Sequence, residues 1–326
     1  MGYVAGEKIL DDEYNNFVAS TSDPHGYNHF AGTGAGQYGL GQANLPQVVA
    51  GTGTVNASNW NALFAGMDNI ANHTNDSLTA RGQVTAGDPI KIKSAIAADL
   101  TSLAALVAAG SVDATAISES SELRSAVASA RFSATHIVEH SVTFANGNNL
   151  RYFFNAGGKI RIQLTRNGNG GSSATSKDSS VDELITAMGN FDIGAQVSTR
   201  SGSGENLQTN GLANGVDDLG TGYTTLMVLR QSNGTYTTMD LKIEAKVDNA
   251  TYGSAVKVTV KCSVIDADSG DAQFTDGNTS SVDQFANFIG VTDWALHTMN
   301  PTTAQGLNPV YGISASAIES NNVANG

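Results

Sequence analysis

Lys159-Ile-Arg-Ile-Gln-Leu-Thr-Arg166 sets Ile160, Ile162 and Leu164 against Lys159, Arg161, Gln163 and Thr165 in strict alternation. Successive side chains on a strand point to opposite faces, so the run predicts a strand with one buried and one solvated face. The same period returns in Leu241, Ile243, Ala245 and Val247, and again in Val256, Val258, Val260, Cys262 and Val264. Tyr223 to Gln231 and Tyr236 to Met239 flank Ser232-Asn233-Gly234 and read as a hairpin, because Asn-Gly favours the turn that matches strand twist. Val181 to Phe191 reads as a helix inserted between strands. Residues 146–326 are therefore expected to form an antiparallel β-sandwich-like domain.

Upstream the period is helical. Asn56 or Ser58 can cap a helix whose stripe is Trp60, Leu63, Phe64, Met67, Ile70 and Ala71. A shorter helix is expected over Asp11 to Ala19, where Tyr14, Phe17 and Val18 share a face. Ile92, Ile96, Leu100, Leu103 and Leu106 or Val107 mark a third, and a fourth is expected from Ser121 to Arg131. The class is α+β, an α-rich first part followed by the β-rich one. Three regions are expected: 1–83 with a glycine loop and a helix, a helical connector over 84–145, and the β-rich 146–326. No internal repeat is evident.

Charged residues are 14% of the 326, against roughly 25% in ordinary soluble domains. A net charge of -13 with 17 Lys and Arg argues against a nucleic-acid partner, which needs a basic stripe to displace counterions. Long apolar runs and the charged-then-apolar order of a secretory leader are missing, so a soluble chain made in the cytoplasm, without membrane insertion, is expected. The single Cys262 excludes an intrachain disulfide framework and makes oligomerisation the expected staple.

Several stretches imitate chemical motifs. His136-Ile-Val-Glu-His140 fits an inverted zinc-peptidase pattern, but its β-branched setting predicts a strand, on which Glu139 faces away from both histidines. The reading adopted is partly exposed histidines on a connecting strand. Gly34-Ala-Gly-Gln-Tyr-Gly39 satisfies a dinucleotide fingerprint without the strand before it or the helix after it, and the run Ala31 to Gln42 is expected to be ordered only by neighbours. Asp266, Asp268, Asp271 and Asp276 surround Gly270 and are calcium candidates by composition, although the spacing is not that of an EF-hand, and a solvated turn is the reading adopted. Cys262 lies on the apolar face of its strand and reads as packing. No cofactor and no catalytic residue are expected.

Phe144-Ala-Asn-Gly-Asn-Asn-Leu-Arg-Tyr-Phe-Phe-Asn-Ala-Gly-Gly-Lys-Ile-Arg-Ile162 resembles a segment of structural proteins of tailed bacteriophages, especially tail, neck and fibre-associated proteins of marine phages. In these an Arg-[Tyr/His]-Phe-Phe-Asn-x-Gly-Gly block precedes a strand, followed by a Thr- and Tyr-rich hairpin and a Val-rich strand ending in Asp. Arg151 to Gly158, Tyr223 to Met239 and Val256 to Asp266 hold those places, and Lys159 after the glycines departs from the pattern. Gly6-Glu-Lys-Ile, Tyr14-Asn-Asn-Phe17, the Gly-Gln-Tyr-Gly-Leu-Gly-Gln loop, Trp60-Asn-Ala-Leu63 and Asn72-His73 are similar too.

The resemblance implies a virion component, made in the host cytoplasm, with no catalytic residues to carry over. The expectation is a tail or fibre-attachment subunit, a trimer or hexamer of itself in contact with other virion proteins, with region 1–83 docking onto the particle. A neck or capsid decoration subunit is the alternative. A carbohydrate-binding adhesin with a host-surface glycan as partner is another, through Tyr27, Tyr38, Trp60 and Trp294, although Trp60 is better explained as helix core. The interface candidates are Tyr14, Phe17, Gly34, Gly36, Tyr38, Gly39, Phe153 and Phe154. On a strand Phe153 and Phe154 would point to opposite faces.

Overall fold

A computed structural model describes residues 11–19, 25–49, 53–85, 93–120, 124–128, 135–167, 176–232, 237–266, 291–307 and 318–325. The described helices are α1 (Asp11–Val18), α2 (Ala57–Thr74), α3 (Lys93–Ala108), α4 (Gly147–Asn155) and α5 (Ser176–Met188), with a π-helical turn at Asn28–Thr33. The described strands are β1 (Ile117–Glu119), β2 (Arg124–Ala128), β3 (Thr135–Thr143), β4 (Lys159–Asn167), β5 (Phe191–Ile193), β6 (Ser198–Arg200), β7 (Asn206–Asn210), β8 (Thr224–Arg230), β9 (Met239–Val247), β10 (Lys257–Asp266), β11 (Val291–Pro301) and β12 (Ile318–Asn325). The mixed α+β class, with helices ahead of the strands, is as expected.

The domain bounds are not. The chain forms two compact units, and both are discontinuous. The first takes Met1–Ser118, Asn148–Gly158 and Asn300–Ile313; the second takes Glu119–Gly147, Lys159–Met299 and Ser314–Gly326. Division into 1–83, 84–145 and 146–326 fails because strand formation begins well before residue 146.

In the first unit, α2 opens on a reciprocal cap: Asn56 Oδ1 accepts from the Asn59 N–H at 3.2 Å, and Asn59 Oδ1 accepts from the Asn56 N–H at 3.0 Å. All six stripe residues of α2 are buried, together with Ile96, Leu100, Leu103 and Val107 of α3. Trp60 meets Tyr14 edge-on, with ring centroids 5.5 Å apart. Each large side chain so buried contributes about 1.5–3 kcal/mol.

The second unit holds the sheets. One runs β1-β11-β4-β5-β6, with β2 also pairing β11, and the other runs β12-β3-β10-β9-β8-β7. The registered pairs are antiparallel. Val138, Cys262 and Ile243 stand in one row across β3, β10 and β9, and all are buried. In the next row Glu139, Lys261 and Glu244 occupy the opposite face. There Glu244 receives Lys261 at 2.7 Å and Lys242 at 2.8 Å, while the Tyr223 hydroxyl donates to Glu139 at 2.6 Å. A one-residue slip would turn Glu139 and Lys261 into the apolar core and take Glu244 from its two lysines, so the pattern fixes the register.

The other sheet buries Ile160, Ile162, Leu164, Phe191, Trp294 and Leu296, and its opposite face carries Arg161 between Asp192 at 2.7 Å and Glu119 at 2.6 Å. His140 Nε2 lies 3.1 Å from the Trp294 carbonyl, which joins β3 of one sheet to β11 of the other. Helix α5 packs against β4 of one sheet and β8 and β9 of the other.

Four local expectations are corrected. The expected helix over Ser121 to Arg131 is, where described, strand β2, with Arg124, Ala126 and Ala128 opposite Leu296, Trp294 and Thr292. Sheet pairing outweighs the helix propensity of its alanines. Phe153 and Phe154 lie on helix α4 rather than on a strand. His136 and His140 are fully buried, not partly exposed, because they share the inner face of β3 with Val138 and Val142. Of the expected hairpin, Tyr223 to Gln231 contains β8, which pairs with β9, but Tyr236 to Met239 is not a strand of its own: Thr237 and Thr238 form a turn that leads into β9 at Met239, and Asn233-Gly234 and Tyr236 lie outside the described residues.

Burial lowers His73 in the first unit and His136 in the second from 6.5 to about 4; for His73 this prevails over a main-chain hydrogen bond at Ala156 and the nearby Asp113. The unfolded chain protonates both near pH 6.5, while the folded chain resists until about pH 4. Their contribution is therefore complete above pH 6.5 and lost as pH falls toward 4. The urea midpoint should fall over that interval by an amount equivalent to about 2–3 kcal/mol for each histidine. His73→Gln and His136→Gln should each flatten the profile, and a stability constant from pH 7 to 4 would contradict this assignment.

Candidate functional site

The Arg151–Gly158 block is the end of a helix and its cap. Leu150, Phe153 and Phe154 fall at helical spacing on α4 and are buried, the two phenyl rings meeting edge-to-face at 5.0 Å. The helix stops where Gly157 enters the left-handed region, at φ 85°. The Gly157 N–H then donates to the Phe154 carbonyl at 3.0 Å and the Gly158 N–H to that of Phe153 at 2.9 Å, satisfying carbonyls that a helix end leaves open. A Cβ at Gly157 would also come within 2.5 Å of Val112 Cγ2. The stop signal Asn155-Ala-Gly-Gly158 stands in the sequence; reading the aromatic pair as strand residues concealed it.

The polar members of the block turn to the glycine loop. Asn155 Nδ2 lies 3.1 Å from the Gly36 carbonyl oxygen, 2.9 Å from that of Tyr38 and 3.1 Å from that of Gly39. The Arg151 guanidinium donates to the same Tyr38 carbonyl and reaches that of Gly36 at 3.4 Å. Both side chains are buried. Tyr152, between them in sequence, lies under the Arg151 guanidinium, 4.7 Å from ring centroid to Cζ.

The loop folds back on the π-helical turn. The N–H groups of Gly39, Leu40 and Gly41 donate to the carbonyls of Phe30, Ala31 and Gly32 at 3.0, 3.0 and 3.1 Å, and the rings of His29 and Tyr38 pack tilted by 49° with centroids 4.6 Å apart. Gly34 is required by close approach, since a Cβ there would fall 1.9 Å from the His29 carbonyl oxygen. Ordering a residue costs about 1–2 kcal/mol, and more for glycine, so several such bonds are needed. The expectation that only neighbours order this loop is thus corrected: the same unit supplies its partners.

Other motif residues part company in the fold. Phosphate binding at Gly34–Gly39 would need convergent N–H donors, whereas carbonyls converge there. His136 and His140 face the core while Glu139 faces outward toward Tyr223. Cys262 is fully buried, and burial pushes its thiol far upward. Among the described residues no group of three or more His, Cys, Asp or Glu is arranged to hold a metal. Of the calcium candidates, Asp268, Asp271 and Asp276 lie outside the described residues, and Asp266 is the last residue of β10.

Of the interface candidates, Tyr14, Phe153 and Phe154 are consumed by the chain's own packing, as are Gly34 and Gly39. Gly36 is exposed, and Tyr38 and Phe17 are partly so. Tyr27, Trp60 and Trp294 are buried too, which removes them as sugar-stacking surfaces; burial also lifts the Tyr27 hydroxyl to about 12.

Beside the loop lies a feature that sequence reasoning missed, a cleft of about 290 Å³. Thr33 comes from the π-helical turn, Gly41, Gln42 and Asn44 from the segment after the loop, and Asn149 and Tyr152 from α4. A second cleft, of about 310 Å³, is lined by Asp182, Glu183 and Glu205. Arg166, Gln231 and the Ser232 N–H respectively already bind those carboxylates.

Asn155→Ala and Arg151→Lys should each lower the stability of the chain by about 1–3 kcal/mol, the cost of leaving buried carbonyls without their donors. Gly157→Ala should cost about 1–2 kcal/mol through its left-handed conformation alone. Denaturant titration measures all three, and substitutions as silent as exposed ones would refute the bonded arrangement. No protein-family model, curated protein or solved structure matches the chain.

Proposed function

We propose that the chain is a structural subunit of a tailed-bacteriophage particle, a tail or tail-fibre-attachment protein that assembles as a symmetric trimer or hexamer with other virion proteins. The observation that carries the reading is the Arg151–Gly158 block. Its resemblance to tail, neck and fibre-associated proteins points to the particle, and its chemistry points to a scaffold. Arg151 and Asn155 direct their donors at main-chain carbonyls of the glycine loop, which is what residues selected for shape do.

Composition supports the same reading. A chain of net charge -13 is poorly suited to grip nucleic acid, and with charged residues at only 14% much of what it offers a neighbouring copy is uncharged and polar. Gly36 and Tyr38 keep the loop tip partly open to solvent, leaving it available to a neighbouring subunit.

Antibodies against the purified chain should decorate particles of the phage that encodes it at one set of symmetry-related positions, and the purified chain should sediment as a trimer or hexamer. A chain found in infected cells but missing from purified particles would overturn the proposal.

A further inference from the structure

We infer that the cleft between the glycine-loop segment and α4 is a binding site for a neutral sugar, with Thr33, Gln42, Asn44 and Asn149 as its hydrogen-bonding groups and the buried Tyr152 as part of its wall. Among the described lining residues the functional side chains are a hydroxyl, three carboxamides and a phenol, with no charged group. The Arg151 guanidinium over Tyr152 is held by the Tyr38 and Gly36 carbonyls and is not among the lining groups, so an ionic ligand would lose its hydration there without a counter-charge in the lining, and an apolar one would strip water from amides and offer no partner. A polyhydroxylated neutral ring avoids both costs, because each carboxamide presents a donor and an acceptor that match neighbouring hydroxyls.

Size agrees. At about 290 Å³ the cleft stands at the lower end of small-molecule sites, which suits a single sugar residue better than a dinucleotide or an extended peptide.

The walls are also held in place before any ligand arrives. Asn44 Nδ2 donates to Thr33 Oγ1 at 3.2 Å and Gln42 Nε2 to the Leu40 carbonyl at 3.2 Å. The Gly41 and Gln42 N–H groups are tied to the π-helical turn at 3.1 and 3.0 Å. Arg151 and Asn155 anchor the helix that carries Asn149 and Tyr152 to the loop. A site that does not need to be ordered by its ligand loses less affinity on binding. These residues differ from the aromatic set expected from the sequence, of which Tyr27, Trp60 and Trp294 are buried.

Saturation-transfer NMR and titration of the full chain with glucose, galactose, N-acetylglucosamine and glucuronate test this directly. At least one of the three neutral sugars should bind with a millimolar dissociation constant, and glucuronate should bind more weakly. Asn44→Ala and Asn149→Ala should each weaken binding at least about tenfold while the far-UV circular dichroism of the chain stays that of the wild type. Failure of all three neutral sugars to bind, or binding that survives both substitutions, overturns the assignment. Either result is read on the purified chain and is independent of its place in a particle.

Discussion

Three main-chain carbonyls, those of Gly36, Tyr38 and Gly39, converge on the buried side chains of Arg151 and Asn155, and the form of the first unit depends on that meeting. A glycine-rich loop has no side chains to bury and loses more conformational freedom on ordering than any other kind of segment. Its carbonyls are strong acceptors that must find donors once water is withdrawn. A planar guanidinium and a carboxamide one helical turn apart supply several at once. From that contact follow the position of α4, the cap at Gly157 and Gly158, and the walls of the adjacent cleft.

The same unit shows why its assembly is not local. Its third stretch returns to the first where the Thr302 N–H donates to the Ala116 carbonyl at 2.7 Å and Gln305 Nε2 to Thr115 Oγ1. Asn69 packs against Gly306, where a Cβ would lie 2.7 Å from its side-chain oxygen. Contacts so far apart in sequence carry a loop-closure cost before they repay it. The second unit meets an equivalent demand by register, in which alternating Val and Lys or Glu residues allow one pairing of β3, β10 and β9.

Where the sequence was legible, one physical period dominated. Helix α2 follows from its capping asparagine and apolar stripe, and β4, β9 and β10 follow from alternation, because in each of them burial of one face outweighs local preference. The Phe153-Phe154 pair was misread because adjacent aromatics fit a strand as well as a short helix, and the decisive signal was the Gly-Gly stop behind them. Strand β2 was misread because Ala- and Ser-rich residues carry little periodic information and pairing with β11 decides their state. The histidines of β3 were placed on the correct kind of element but at the wrong depth: alternation tells which residues share a face, and only the packed sheets reveal that this face is the core. The cleft could not have been read at all, since its walls come from segments more than a hundred residues apart.

This chain supplies partners for its own glycine loop through Arg151 and Asn155 and the π-helical turn. Amide hydrogen exchange on the isolated monomer tests it most directly. The N–H groups of Gly39, Leu40, Gly41 and Gln42 should be protected in the monomer and lose that protection in Asn155→Ala. Exchange at unprotected rates in the wild-type monomer, with protection appearing only on oligomerisation, would contradict it.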